Sequence, residues 1–164
     1  MTDLLNLTID ELIAYCRDDL NQPPFRARQL WQWLWRKRAR SFAEMSDLSL
    51  SLRALLEEHA EISRPVVERT RTSADGTVKF LLRLADGECI ETVLIPSESR
   101  EGKGRMTQCL SCQVGCVMGC TFCATGAMGF VRNMRMSEIL GQVLVAQEYL
   151  GDSLDNPRLR NLVF

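Results

Sequence analysis

Residues 115–130 read GCVMGCTFCATGAMGF and put three thiols, Cys116, Cys120 and Cys123, within eight positions. Gly115, Gly119 and Gly126 punctuate the run, and Phe122 stands directly before the last cysteine. Cysteines at this spacing fit a tight turn around one metal centre, and the glycines let backbone N–H groups turn toward sulfide or thiolate. Structural zinc normally takes four protein ligands, so zinc here needs another donor. Cys112, four residues before Cys116, is one candidate; the single histidine, His59, lies far upstream in an amphipathic pattern and reads as solvated surface. An iron–sulfur cluster is the other reading. With three thiolates one iron keeps an open position, and an open position is how a metal centre does chemistry.

Downstream, RMSEILGQVLVAQEYLG (135–151) predicts a helix with Ser137 as N-cap. Ile139, Leu140, Val143 and Leu144 form its apolar stripe, and Gly151 suits its stop. PRLRNLVF (157–164) then predicts a turn and an apolar strand. The order of cysteine loop, helix and strand is the start of a βα-repeated architecture. An apolar strand with nothing beside it leaves an open edge, so the sequence is expected to be a piece of a longer polypeptide.

Upstream, the period is that of strands. Asp75-Gly76 and Asp86-Gly87 are hairpin-turn signals, and three β-runs flank them at about 66–72, 77–84 and 88–95. SESREGKGRMTQ (97–108) is polar and glycine-bearing and reads as a loop or linker. Before residue 64 the pattern is helical. In NLTIDELIAYCRDDL (6–20) Thr8 and Glu11 form a capping-box pair, Pro23-Pro24 breaks the chain, and SLSLRALLEEHAEI (49–62) starts a third helix near Ser49. Between them FRARQLWQWLWRKRA (25–39) puts Phe25, Leu30, Trp31 and Leu34 near one helical face. Three segments follow: a helical module at 1–62, an antiparallel β and linker region at 63–100, and the beginning of an α/β core at 101–164.

The 164 residues carry a net charge of −1, so overall charge points to no nucleic-acid partner. Local charge does: Arg26, Arg28, Arg36, Lys37, Arg38 and Arg40 occur with no acid among them, interleaved with Trp31, Trp33 and Trp35. Such a run grips RNA phosphates and stacks on bases, or is a solvated face over a tryptophan-rich core. No apolar run approaches the ~20 residues of a membrane span, and the acidic N-terminus lacks the basic residues of a signal peptide. A cytoplasmic protein with no membrane partner is expected. Seven cysteines in that compartment argue for metal or redox chemistry rather than disulfides. Cys16 and Cys89 read as buried small apolar residues, and Cys112, if not a ligand, as a partly buried one.

Cys116-x3-Cys120-x2-Cys123, with Phe122 before the third cysteine, resembles the cluster motif of the radical S-adenosylmethionine (SAM) superfamily. Residues 109–143 as a whole resemble the RlmN family of adenosine C2 RNA methyltransferases. FRARQLWQWLW (25–35), SFAEMSDLSLSLRALL (41–56) and ETVLIP (91–96) are similar to that family's N-terminal region. The resemblance implies an α/β fold: a radical-SAM partial (β/α) barrel preceded by a small helical accessory domain and a short antiparallel β region. It implies a [4Fe–4S] cluster on Cys116, Cys120 and Cys123 that binds SAM, with Phe122 beside cluster and SAM. It implies ribosomal and transfer RNA as substrates, and an electron donor such as flavodoxin or ferredoxin.

By the same resemblance Glu91 is the base that takes a proton from C2 of the adenine. From its neighbours alone it reads as a solvent-facing glutamate on a strand. Cys109 is, by resemblance, an auxiliary redox cysteine that pairs transiently with a C-terminal, methyl-carrying cysteine. That cysteine and the family's Gly-Glu-Pro motif are expected beyond Phe164, so the 164 residues are expected to hold a cluster without completing methyl transfer alone. A C8-methylating ribosomal RNA resistance enzyme of the same superfamily, or a non-catalytic zinc or RNA-binding module, are the alternatives.

Overall fold

Thr8 opens the first helix, α1 (Ile9–Asp18), by reciprocal capping. Its hydroxyl accepts from the Glu11 N–H at 3.3 Å, and the Glu11 carboxylate accepts from the Thr8 N–H at 2.8 Å. The computed structural model describes residues 1–97, 104–153 and 156–164, which divide into two units, Met1–Ser63 and Arg64–Phe164. In the first unit α2 (Phe25–Trp31) starts behind Pro24 and widens into a π-helical turn over Gln32–Arg36. The third helix, α3 (Leu50–His59), is capped by the Ser49 hydroxyl, which accepts from the Leu52 N–H at 3.2 Å. Two short parallel strands, β1 (Thr2–Asp3) and β2 (Ala60–Glu61), pair the ends of this unit. Leu4, Leu12, Leu30, Leu34 and Leu56 are completely buried between these elements. Phe25 does not join them. It occupies the first helical position, is 52% exposed, and carries the Arg26 guanidinium over its ring at 4.8 Å.

The second unit is built on one five-stranded sheet. Strands β3 (Val66–Thr72), β4 (Val78–Arg83) and β5 (Cys89–Ser97) form an antiparallel meander. The meander continues edge to edge into β6 (Arg105–Cys109), and β9 (Leu159–Val163) lies parallel to β6. The polar stretch expected to be a loop is therefore a strand from Arg105 onward, while its residues 98–103 lie outside those described. Met106 and Gln108 alternate into the core, and both flanking strands satisfy the backbone, which outweighs the polar composition.

A hairpin of β7 (Gln113–Gly115) and β8 (Phe130–Asn133) follows β6 and carries the cysteine loop with a single-turn helix, α4 (Ala124–Ala127). Helix α5 (Met136–Leu150) then returns the chain to β9, giving the parallel crossover that two neighbouring parallel strands require. One face of the sheet packs under α5. Phe80, Leu82, Leu94 and Met106 meet Val145 and Ala146, and Phe80 stands edge-on to Tyr149 at 5.1 Å.

The α5 start differs from the expected one. Arg135 is the N-cap residue and its N–H donates to Glu138 at 2.7 Å, while Ser137 is buried inside the first turn. The buried stripe runs through Ser137, Gly141, Gln142, Leu144 and Val145, with Ile139, Leu140 and Val143 only half-buried. Polar side chains that find partners inside the unit displaced the expected apolar face. Among the described residues no helix is long and apolar enough to cross a membrane.

Candidate active site

Strand alternation puts Lys79 and Leu81 of β4, Glu91 and Val93 of β5, and Cys109 of β6 on the sheet face opposite α5. Leu81 pairs with Glu91, and Val93 pairs with both Lys79 and Cys109, so these residues lie in two adjacent cross-strand rows. Glu91 is exposed, and its carboxylate meets the Lys79 ammonium at 2.9 Å. Both partners face solvent, so the pair is worth about 0–1 kcal/mol and is readily exchanged. Cys109 is half-buried at the end of β6. Cys89, expected to be buried, is instead exposed, because it sits two residues before Glu91 and so on the same open face.

Below this face the chain is held by buried amides. Gln108 donates to the Thr92 hydroxyl at 3.0 Å and to the Gln142 carbonyl at 2.9 Å. Gln142 closes a two-bond clasp on Ser111, accepting from its N–H at 3.0 Å and donating to its carbonyl at 2.8 Å. The Ser111 hydroxyl donates to the Glu91 carbonyl at 2.7 Å. The exit of β6, just beyond Cys109, is thereby tied both to Glu91 and to α5.

The cysteine loop adjoins this face. A cavity of about 260 Å³ is lined by Glu91, Cys89, Ser111, Gly115, Thr125 and Met128, among others, and so runs from the sheet to the loop. Cys116, Cys120 and Cys123 are all half-buried and unpaired by disulfides, whereas Cys112 is exposed, not partly buried as expected. Backbone N–H groups of Gly126 and Thr125, at the start of α4, hold the Cys123 thiol below its ordinary value of 9.0. Cys16 is the opposite case: burial pushes it up to about 11, as suits an inert core thiol.

The loop is also closely wound. A Cβ on Gly126 would lie 2.9 Å from both the N and O of Cys120, so the turn between the second and third cysteines closes only around a hydrogen. At the hairpin, Gly115 has φ +72, and a Cβ there would meet the Gly129 carbonyl oxygen at 1.8 Å. Among the described residues no three His, Cys, Asp or Glu side chains converge on one metal position. The donor set still suits iron and sulfide: three accessible thiols on one glycine-wound loop, one of them biased toward thiolate. Phe122, expected against cluster and SAM or in the core, is 91% exposed; it follows the loop outward and meets no core.

Arg132 fastens the base of the loop and was not singled out by its sequence context. Its guanidinium donates two bonds of 2.8 Å to Glu138 at the start of α5, and further bonds of 2.8 and 2.5 Å to Asp86 in the β4–β5 turn. Burial pushes the Glu138 carboxyl up, but the bonds from Arg132 and from the Arg135 N–H outweigh it and leave it below its ordinary 4.5. Asp86 is likewise held below 3.8, chiefly by Arg132. A carboxylate with a lowered folded-state value adds stability above its unfolded value and loses it as pH falls. The second unit should therefore weaken from about pH 4.5 downward through this clamp. Arg132→Ala should cost on the order of 3 kcal/mol by leaving the largely buried Glu138 carboxylate without its partner, and should flatten that acid limb. Urea denaturation of both proteins at pH 7 and pH 4 measures both effects; an unchanged acid limb in the variant would exclude the clamp as its source.

In the helical unit the six cations are divided. Arg28, Arg36, Lys37 and Arg40 are exposed; Arg26 and Arg38 are half-buried. Lys37 lies 3.5 Å over the Trp33 ring, whose Nε1 donates to Asp47 at 2.5 Å, and Trp31 and Trp35 meet at 5.6 Å. The tryptophans are thus packed as half-buried supports beneath part of the basic run.

Residues 2–62 match the family model described as the ribosomal RNA large subunit methyltransferase N-terminal domain. The whole chain is 67% identical to the dual-specificity RNA methyltransferase RlmN of Nitratidesulfovibrio vulgaris (strain Miyazaki F), of which it spans 45%. Over its full length the chain is similar to RlmN methyltransferases. It is also 62% identical, again over its full length and 45% of the relative, to the dual-specificity RNA methyltransferase RlmN of Oleidesulfovibrio alaskensis. Its fold matches the crystal structure of a radical SAM methyltransferase from Sphaerobacter thermophilus with a TM-score of 0.83 and 37% identity. That match covers 99% of this chain and 46% of the other. The chain thus spans somewhat less than half the length of the curated relatives it matches, and its mixed α/β architecture is that of a radical SAM methyltransferase.

Proposed function

We propose that this chain carries the RNA-gripping module and the cluster-bearing part of a radical-SAM enzyme that methylates C2 of adenosine in ribosomal and transfer RNA. The observation that carries the reading is the shared open face: Glu91 and Cys109 lie on it, and the cavity at Glu91 extends to the cysteine loop. Cys116, Cys120 and Cys123 would hold a [4Fe–4S] cluster and leave one iron open to the amino and carboxylate groups of SAM. Such a cluster supplies one-electron reduction of bound SAM, chemistry that no side chain provides.

The chain's own groups do the rest. Glu91, on a rigid strand and loosely paired to Lys79, accepts the proton from C2 of the adenine. Cys109, half-buried at a strand end, is the auxiliary redox thiol. Met128 and Leu81 give the intervening cavity apolar walls suited to a base. Arg28, Arg36, Lys37 and Arg40 grip RNA phosphates in the helical unit, Lys37 over the Trp33 ring, with the half-buried Arg26 and Arg38 adding to the local positive charge. Electrons would come from a small donor protein such as a flavodoxin or ferredoxin, and the setting is cytoplasmic.

The test begins with anaerobic reconstitution and analysis of iron, sulfide and zinc. A brown protein with iron and sulfide supports the reading; a colourless protein that holds one zinc and refuses iron would support a non-catalytic module instead. Product analysis with an enzyme that carries these residues and spans its relatives' full length locates the methyl group. Methyl at C8 and none at C2 would move the assignment to the C8-methylating resistance enzymes.

A further inference from the structure

The open sheet face carries a second cavity, of about 190 Å³, lined by Arg69, Arg71, Lys79, Leu81 and Glu91. Register explains why these side chains meet. Arg71 pairs with Lys79, Arg69 pairs with Leu81, and Leu81 pairs with Glu91, and residues directly opposed across a sheet share a face. Three cations and one carboxylate therefore surround one hollow. The carboxylate is taken by Lys79, and among the described residues neither Arg69 nor Arg71 has an acidic partner. Strand β3 is exposed along its whole length, so both guanidinium forks are presented to solvent. Paired forks with no carboxylate to satisfy them match the geometry of phosphate oxygens.

The two cavities share Leu81 and Glu91. One is cationic; the other has apolar walls and reaches the cysteine loop. Strands lie about 5 Å apart, so Arg69 and Glu91, two strands apart, are separated by about 10 Å along the sheet, the scale of a nucleotide from phosphate to base. We propose that Arg69, Arg71 and Lys79 form a phosphate subsite that holds the RNA backbone beside the reacting adenosine, whose base enters the neighbouring cavity past Glu91. The proposal rests on the reading of the chain as part of an RNA methyltransferase. It adds a consequence: a bound phosphate draws Lys79 away from Glu91 and leaves the carboxylate unpaired only when RNA is in place.

The test is fluorescence anisotropy of the full chain with a labelled RNA hairpin bearing unpaired adenosines, across a salt series. Relative to the wild type, Arg69→Ala/Arg71→Ala should bind about tenfold or more weakly, and its log–log salt slope should be shallower by about 1 to 2, as expected for losing one or two phosphate contacts. Arg69→Lys/Arg71→Lys should keep the slope, because it keeps the charge. An Ala variant with unchanged affinity and slope overturns the subsite and leaves the RNA reading standing. Displacement of the hairpin by AMP at equal concentration would make this a mononucleotide site and overturn the backbone assignment. A wild-type chain that binds no RNA removes the functional reading and the subsite together.

Discussion

Gly115→Ala should unseat the cysteine loop. The new Cβ would lie 1.8 Å from the Gly129 carbonyl oxygen and 2.9 Å from its carbon, and both are backbone atoms that cannot swing aside like a side chain. The same carbonyl accepts the Cys116 N–H at 3.0 Å, so any retreat of Gly129 breaks the bond that closes the loop beside the first cysteine. An L-residue in the left-handed region costs about 1–2 kcal/mol. Forced overpacking adds about 1–3 kcal/mol, giving roughly 2–5 kcal/mol in all. A small domain holds only about 5–15 kcal/mol in total, so the hairpin should open well before the sheet unfolds. Hydrogen exchange reads this directly: the Cys116 amide should lose protection while amides of β4 and β5 keep theirs. Gly119→Ala is the control: at φ +58 it carries the same left-handed backbone strain, but its Cβ meets nothing within 4 Å, so it isolates the contact with Gly129. Equal protection in wild type and Gly115→Ala would show that the hairpin repacks freely and that the contact is not what holds the loop.

Removing any one of Cys116, Cys120 and Cys123 should abolish cluster binding. A site with three protein thiolates has no spare ligand, so Cys123→Ala should fall from about four iron atoms per chain after reconstitution to under about one. Cys112→Ala is the informative comparison. It should leave iron content and visible absorption unchanged, because Cys112 is exposed and lies outside the three-thiol motif. If Cys112→Ala instead loses metal as completely as Cys123→Ala, the site is a four-thiolate one and the open iron position disappears with it. Cys16→Ala tests nothing at the loop and serves as the stability reference for a buried thiol.

Much of the architecture was legible because local chemistry and tertiary structure agree. The Thr8–Glu11 pair caps α1, the two Asp-Gly turns join the three meander strands, and Gly151 ends α5. Where the reading failed, a distant partner decided. Arg105–Cys109 is polar enough to read as loop and is a strand because β5 and β9 flank it. The buried face of α5 includes Glu138 and Gln142, which no apolar pattern marks, because Arg132 and the Ser111 backbone satisfy their side chains. Cys89 read as a small buried residue and is exposed, although strand alternation from Glu91 places both on one face.

The sequence by itself determined the main helices, the meander and its turns, the three-thiol loop and its glycines, and the family that these motifs resemble. Short-range spacing suffices for each of these: a cap needs residues three apart, a turn needs two, and a metal loop needs eight. Only the tertiary structure decided which residues share the open face with Glu91. Arg69, Arg71, Lys79 and Cys109 lie on three different strands, and their meeting depends on register across β3 to β6. A slip of one residue in any pairing would send those side chains to the opposite face, and register is set by burial beneath α5, a helix at the far end of the same chain.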